Sequence, residues 1–193
     1  MLQLSKILNE IDCSIYSLEL GYIIFHDVCH YFIEESNSKD KHFLEGLSPE
    51  RIFLNDDWKD GLKSISLDNP QPPFEALAYY PPSYASGQSE WDDSCSVFAL
   101  CAILYRISTC ALPYIDNPDE IAEERVENLT GERKYPLYLR CFREGSLQNF
   151  LKKGLSLDKE SRYQTLEEAY EDFMKIPLEK ELYYDSTSPI FQQ

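Results

Sequence analysis

The chain has 193 residues, 43% of them apolar and 13% aromatic, which suits one domain with a sizeable core and argues against a disordered chain. Its 34 acidic side chains against 18 basic ones leave a formal net charge of −16. That charge repels nucleic-acid backbones and anionic membranes and favours a basic protein partner.

From the N-terminus, Met1-Leu2-Gln3-Leu4-Ser5-Lys6 lacks the charged start and apolar core of a signal peptide. Leu4, Ile7, Leu8 and Ile11 recur at spacings of three and four and predict a short amphipathic helix over 3–11. A second helix, over 18–35, is apolar around most of its circumference and is expected to be largely buried. The polar run 36–41 ends it as an exposed loop. Ile52-Phe53-Leu54 and Leu62-Lys63-Ser64-Ile65 flank the turn-rich Asn55–Gly61 and predict a small β-hairpin. Prolines cluster between Asn69 and Tyr84, which reads as extended loop.

Val97 to Ile107 is apolar nearly all round and belongs at the centre of a helical layer, with Asp92, Asp93 and Ser94 as capping groups before it. Residues 116–127 are an acidic stretch that reads as a helix after Asn117-Pro118. Leu147–Leu155 and Leu166–Phe173 are two further amphipathic helices. There is no internal repeat and no linker. The expectation is one mainly α domain over 1–193, with a small hairpin and a loosely packed tail at 176–193.

Other chemistry finds little support. Cys13, Cys29, Cys95, Cys101, Cys110 and Cys141 show no C-x-x-C spacing and read as reduced thiols of a cytoplasmic protein. The Asn128-Leu129-Thr130 sequon, without a secretion signal, reads as chance. His26 and His30 stand one helical turn apart around Cys29, but the helix is apolar and no second ligand pair is near, so packing is favoured over a metal. No G-x-G-x-x-G, Walker-type or G-x-S-x-G run occurs, and no cofactor is expected.

Several strings, in order, resemble the C-terminal lobe of eukaryotic-type protein kinases over roughly residues 3–175. Leu44-Glu45-Gly46-Leu47-Ser48-Pro49-Glu50-Arg51-Ile52-Phe53-Leu54 resembles the catalytic loop H-R-D-L-K-P-E-N-I-L-L without a gap. Ser66-Leu67-Asp68 stands at a D-F-G-like position, and Tyr80-Pro81-Pro82-Ser83 resembles the A-P-E region. Val97–Tyr105 resembles V-W-S-L-G-V-I-L-Y, Thr109–Tyr114 stands where the family has T-G-x-x-P-F, and Leu155–Arg162 resembles L-x-x-D-P-x-x-R. The resemblance implies a mainly α, protein-kinase-like C-terminal lobe with a small β-hairpin and no N-terminal lobe.

It also implies that the lobe is degenerate. The family's catalytic aspartate aligns with Gly46, its phosphate-contacting lysine with Ser48, its magnesium-binding asparagine with Arg51 and its D-F-G aspartate with Ser66. Phosphoryl transfer depends on those charges around nucleotide and metal. Arg162 remains although the A-P-E glutamate aligns with Ser83, so a substitute carboxylate, a backbone carbonyl or water is expected beside it. The aspartate that braces the catalytic loop aligns with Ser96.

The implied function is a non-catalytic, pseudokinase-like protein-binding or scaffolding module, not an enzyme, with a basic protein or a kinase as partner and neither nucleic acid nor membrane. The candidate contacts on an open upper face are Leu2, Leu4, Leu47 and Phe53. Those on the acidic stretch are Asp116, Asp119, Glu120, Glu123 and Glu124, where a merely solvated helix face is the competing reading. The alternatives are a split or atypical transferase completed by another chain, or an inhibitor that mimics a kinase lobe.

Overall fold

The computed structural model describes residues 2–10, 16–35, 45–66, 79–85, 87–109, 111–114 and 145–177. Six helices and a three-stranded antiparallel sheet account for most of them. In chain order they are β1 (Leu2–Gln3), α1 (Leu4–Glu10), α2 (Tyr16–Glu35), β2 (Ile52–Leu54), β3 (Leu62–Ile65), α3 (Pro82–Ala85), α4 (Asp93–Thr109), α5 (Ser146–Gly154) and α6 (Leu166–Phe173). The acidic stretch 116–127, Asp68, the proline-rich 69–78 and the tail beyond 177 lie outside the described residues. Among the described residues, no helix is long and apolar enough to cross a membrane.

The centre is α4. From Ser94 to Thr109 every residue but Arg106 is buried, as the unbroken apolar run requires. Its N-terminus is capped by Asp92, whose Oδ1 accepts from the Cys95 backbone N–H at 3.0 Å and the Ser94 hydroxyl at 2.7 Å. At the other end, the Ser108 and Thr109 hydroxyls donate to the carbonyls of Leu104 and Tyr105, at 2.7 and 2.8 Å.

Against α4 lies α2, which buries Leu20, Ile24, Phe25, Val28, Cys29 and Phe32. The helices approach closely at Gly21, where an added methyl would come within 2.6 Å of Leu104 Cδ1. Phe25, Phe150 and Phe173 then tie α2, α5 and α6 together, with ring centroids 4.3–5.4 Å apart. Each such ring contributes about 1.5–3 kcal/mol through burial.

The sheet runs β1-β2-β3. The hairpin pairs Ile52 with Ile65 and Phe53 with Ser64, and its turn is closed by Asn55, whose side-chain amide donates to the carbonyls of Asp60 and Gly61. Asp57 serves the same turn, its Oδ1 accepting from the Lys59 N–H at 3.1 Å. Asp27 of α2 anchors β3 by accepting from the Leu62 N–H at 2.8 Å.

Two features differ from the sequence expectation. The hairpin gains a third strand, because Leu2 and Gln3 pair with Leu54 and Phe53. A two-residue strand is too short to show alternation, so the helical signal from Leu4 hides it. Within the proline-rich segment, Pro82–Ala85 forms one helical turn, with the Tyr84 and Ala85 N–H groups donating to the Pro81 carbonyl at 3.0 Å. Proline suits that first position, where its missing N–H has no partner to lose.

Candidate functional site

The segment 45–51 lies on the loop that enters β2. Leu47, Ile52 and Leu54 are fully buried and pin it from both sides. Between them, Ser48 is extended and Pro49–Arg51 make a 3-10 turn, the Arg51 N–H donating to the Ser48 carbonyl at 3.0 Å. The turn aims Arg51 inward, and only 5% of the residue is exposed.

There the guanidinium acts as a clasp. Its Nε donates to the Ser66 carbonyl at 2.7 Å, and an Nη donates to the Glu45 carbonyl. The Ser66 N–H in turn donates to the Arg51 carbonyl at 2.8 Å. One side chain thus ties the start of the loop to the end of β3. A planar fork with fixed N–H directions suits two carbonyls held in set positions, whereas a lysine offers only rotatable donors from a single nitrogen. Burial lowers the pKa of Arg51, while the neighbouring Tyr80 and Glu45 oppose that shift.

Gly46 makes the arrangement possible. Its φ is +75°, a conformation that costs a non-glycine residue about 1–2 kcal/mol. A β-carbon there would lie 3.2 Å from the Tyr80 hydroxyl and 3.5 Å from an Arg51 nitrogen. The space beside Gly46 is therefore taken by a phenol and a guanidinium. Tyr80 is fully buried, and burial raises its pKa well above the usual tyrosine range, with Arg51 pulling the other way. It stays a neutral phenol.

Tyr80 belongs to a cluster that the sequence reading missed. Its ring meets Tyr84 and Trp91 edge to face at 5.7 and 5.1 Å, and those two meet at 4.9 Å. The Trp91 indole N–H donates to Ser96 Oγ at 2.9 Å, and the Tyr84 hydroxyl donates to Glu45 Oε1 at 3.2 Å. Ser96 thus connects to the loop indirectly, through Trp91 and Tyr84. The available signal was Tyr80 and Tyr84 one helical turn apart. The hydroxyls of Ser48 and Tyr80 and one Glu50 carboxylate oxygen are buried without a hydrogen-bond partner.

The four upper-face candidates do not form one surface. Leu4 and Leu47 are fully buried and belong to the core, because pairing of β1 with β2 draws the chain start inward. Leu2 is 38% exposed and Phe53 half-buried. Leu2 pairs with Leu54 while Phe53 pairs with Gln3, so Leu2 and Phe53 point to opposite faces of the sheet. Among the described residues, the only exposed large hydrophobic side chains are Leu2, Tyr31 and Met174, so no broad apolar patch opens here. Asp116, Asp119, Glu120, Glu123 and Glu124 lie outside the described residues.

Arg162 is only 2% exposed and finds little compensation. One Nη donates to the Ser94 carbonyl at 3.5 Å, and the group stacks 5.6 Å from the Phe98 centroid, while Nε and the other Nη have no hydrogen-bond partner. The expected backbone carbonyl is present, at the long limit of a hydrogen bond. The nearby Asp92 is engaged by Lys159 at 2.5 Å.

His26 and His30 stack at 5.8 Å on the outer side of α2, and His26 Nδ1 lies 2.9 Å from Asp27 Oδ1. Cys29 points the other way, into the core, where burial raises its pKa well above the usual thiol range. Among the described residues, no three His, Cys, Asp or Glu side chains are grouped to hold a metal. No known family model matches the chain, and no curated protein is significantly similar to it.

Proposed function

We propose that this chain is a degenerate protein-kinase C-terminal lobe that binds a protein partner without transferring phosphate. Support for the lobe comes from the order of elements: a long buried helix, a loop entering a hairpin, a central helix buried on all sides, then two amphipathic helices. Support for the lack of catalysis rests on one observation. Where the resemblance calls for a carboxylate and a metal ligand, Gly46 and Arg51 stand, with the Arg51 guanidinium hydrogen-bonded across the loop and Tyr80 beside it. A buried cation at that point repels magnesium and leaves no base for a hydroxyl nucleophile. The buried free thiols Cys29, Cys95 and Cys101 favour a reducing, cytoplasmic setting.

The test is a thermal-shift titration with ATP and magnesium, run beside a labelled-phosphate transfer assay. No shift and no transfer are expected. Transfer that appears when a partner chain is added, and not with that partner alone, would replace this reading with the split transferase.

A further inference from the structure

Arg162 follows the 3-10 turn Lys159–Ser161 and lays its guanidinium against the first turns of α4. The residue is 2% exposed. Its Nη1 reaches only the Ser94 carbonyl, at 3.5 Å, and the Phe98 ring centroid lies 5.6 Å from the guanidinium carbon. Nε and Nη2 have no hydrogen-bond partner. These two nitrogens share one edge of the guanidinium and send N–H bonds out in parallel. That edge is the one that takes both oxygens of a carboxylate.

The acceptors nearby are committed elsewhere. Asp92 Oδ2 is held by Lys159 at 2.5 Å, and its Oδ1 accepts from the Ser94 hydroxyl and the Cys95 N–H. Asp158 is exposed, with Oδ2 accepting from the Ser161 hydroxyl at 2.6 Å and Oδ1 from the Glu160 N–H at 3.3 Å. Cys95 is close enough to act on the guanidinium, but a thiol sulfur is a weak acceptor, and its own hydrogen is donated toward the Glu90 carbonyl at 3.9 Å. Burial lowers the pKa of Arg162, with Cys95, Asp92 and Asp158 opposing, and an arginine still keeps its proton at neutral pH. The N-terminal end of α4, a helix of 17 residues, adds a positive field of its own.

We infer that the open edge of Arg162 binds a small monocarboxylate anion, of formate or acetate size, which joins α4 to the turn before α6. A water molecule satisfies N–H groups but leaves a buried charge unneutralised. A halide meets both N–H groups with a single atom, whereas the two oxygens of a carboxylate match the fork. Phosphate or sulfate carries a second charge that one guanidinium does not balance. With so little of the residue exposed, a bulky carboxylate is excluded. Without the anion, the guanidinium stays a poorly compensated buried charge. Neither the kinase register nor a protein partner enters this assignment, so its failure and that of the proposed function are independent.

Urea denaturation of the full chain tests it, with sodium formate replacing sodium gluconate, a carboxylate too bulky for the edge, at constant ionic strength. The folded-to-unfolded ratio should rise about fivefold, as for an anion at about four times its dissociation constant. Arg162→Met should not respond to the exchange. Arg162→Lys, which keeps the charge without the fork, should gain less than about twofold, and it is the reference if the methionine variant does not fold. Sodium chloride in place of formate should stabilise the parent less. No gain in the parent, an equal gain in either variant, or chloride matching formate would overturn the assignment.

Discussion

Arg51 and Arg162 are both buried cations, and their surroundings make opposite demands. Arg51 spends its donors on two carbonyls that lie far apart in sequence. Arg51→Lys keeps the charge but loses the fork, and should lower unfolding free energy by about 2 kcal/mol. Arg51→Met should cost about 3 kcal/mol, since both carbonyls then lose a charged donor. Urea denaturation measures both, and a lysine variant as stable as the parent would remove the clasp from the account. Arg162 keeps two guanidinium nitrogens without hydrogen-bond partners. Arg162→Met should therefore be neutral or stabilise by about 1 kcal/mol, because it deletes a poorly compensated buried charge and keeps the stem. A loss of about 3 kcal/mol in the same assay would show that the long bond to Ser94 and the stack on Phe98 suffice.

Among the elements, α6 is stabilised at its start by an identifiable device. Thr165 Oγ1 accepts from the Glu168 N–H at 3.1 Å, and Glu168 Oε2 accepts from the Gln164 N–H at 3.0 Å. Thr165→Ala should cost about 1 kcal/mol and Thr165→Ser almost nothing, a contrast that thermal melts can resolve. The helices were the legible part of the fold. Leu166–Phe173 has the predicted bounds, and α5 starts and ends one residue before the span read from the sequence, because both helices have clean apolar spacing. β1 and α3 were not legible, one too short to alternate and the other disguised by its prolines. In the loop, the apolar positions and the unusual Gly46 could be read directly. That Arg51 turns inward and Tyr80 covers Gly46 could not, because both depend on a 3-10 turn meeting a residue about thirty positions away.

At the scale of the whole molecule, burial of phenols sets a limit in alkali. Burial pushes Tyr79 up to about 12, with Arg106 opposing, and raises Tyr80 and Tyr163 further. An unfolded tyrosine ionises near pH 10, so below that neither state loses the proton and stability is unaffected. Between about pH 10 and 12 the unfolded chain alone releases it, and Tyr79 by itself removes about 2–3 kcal/mol of stability as pH rises. Only part of the tyrosinate absorbance of the 14 tyrosines should therefore develop while the circular dichroism is intact, and the remainder should appear together with its loss. Full tyrosinate absorbance reached with the circular dichroism intact would contradict it.

The two residues of β1 have a further consequence for how the molecule behaves in company. With Leu2 and Gln3 seated on it, Ile52-Phe53-Leu54 is an interior strand, and the Gln3 amide fastens the join by donating to the Glu50 carbonyl at 2.7 Å. Without them, that apolar triplet becomes a bare margin with open N–H and C=O groups, a template on which a second copy can add. A strand of two residues is thus a guard against self-association.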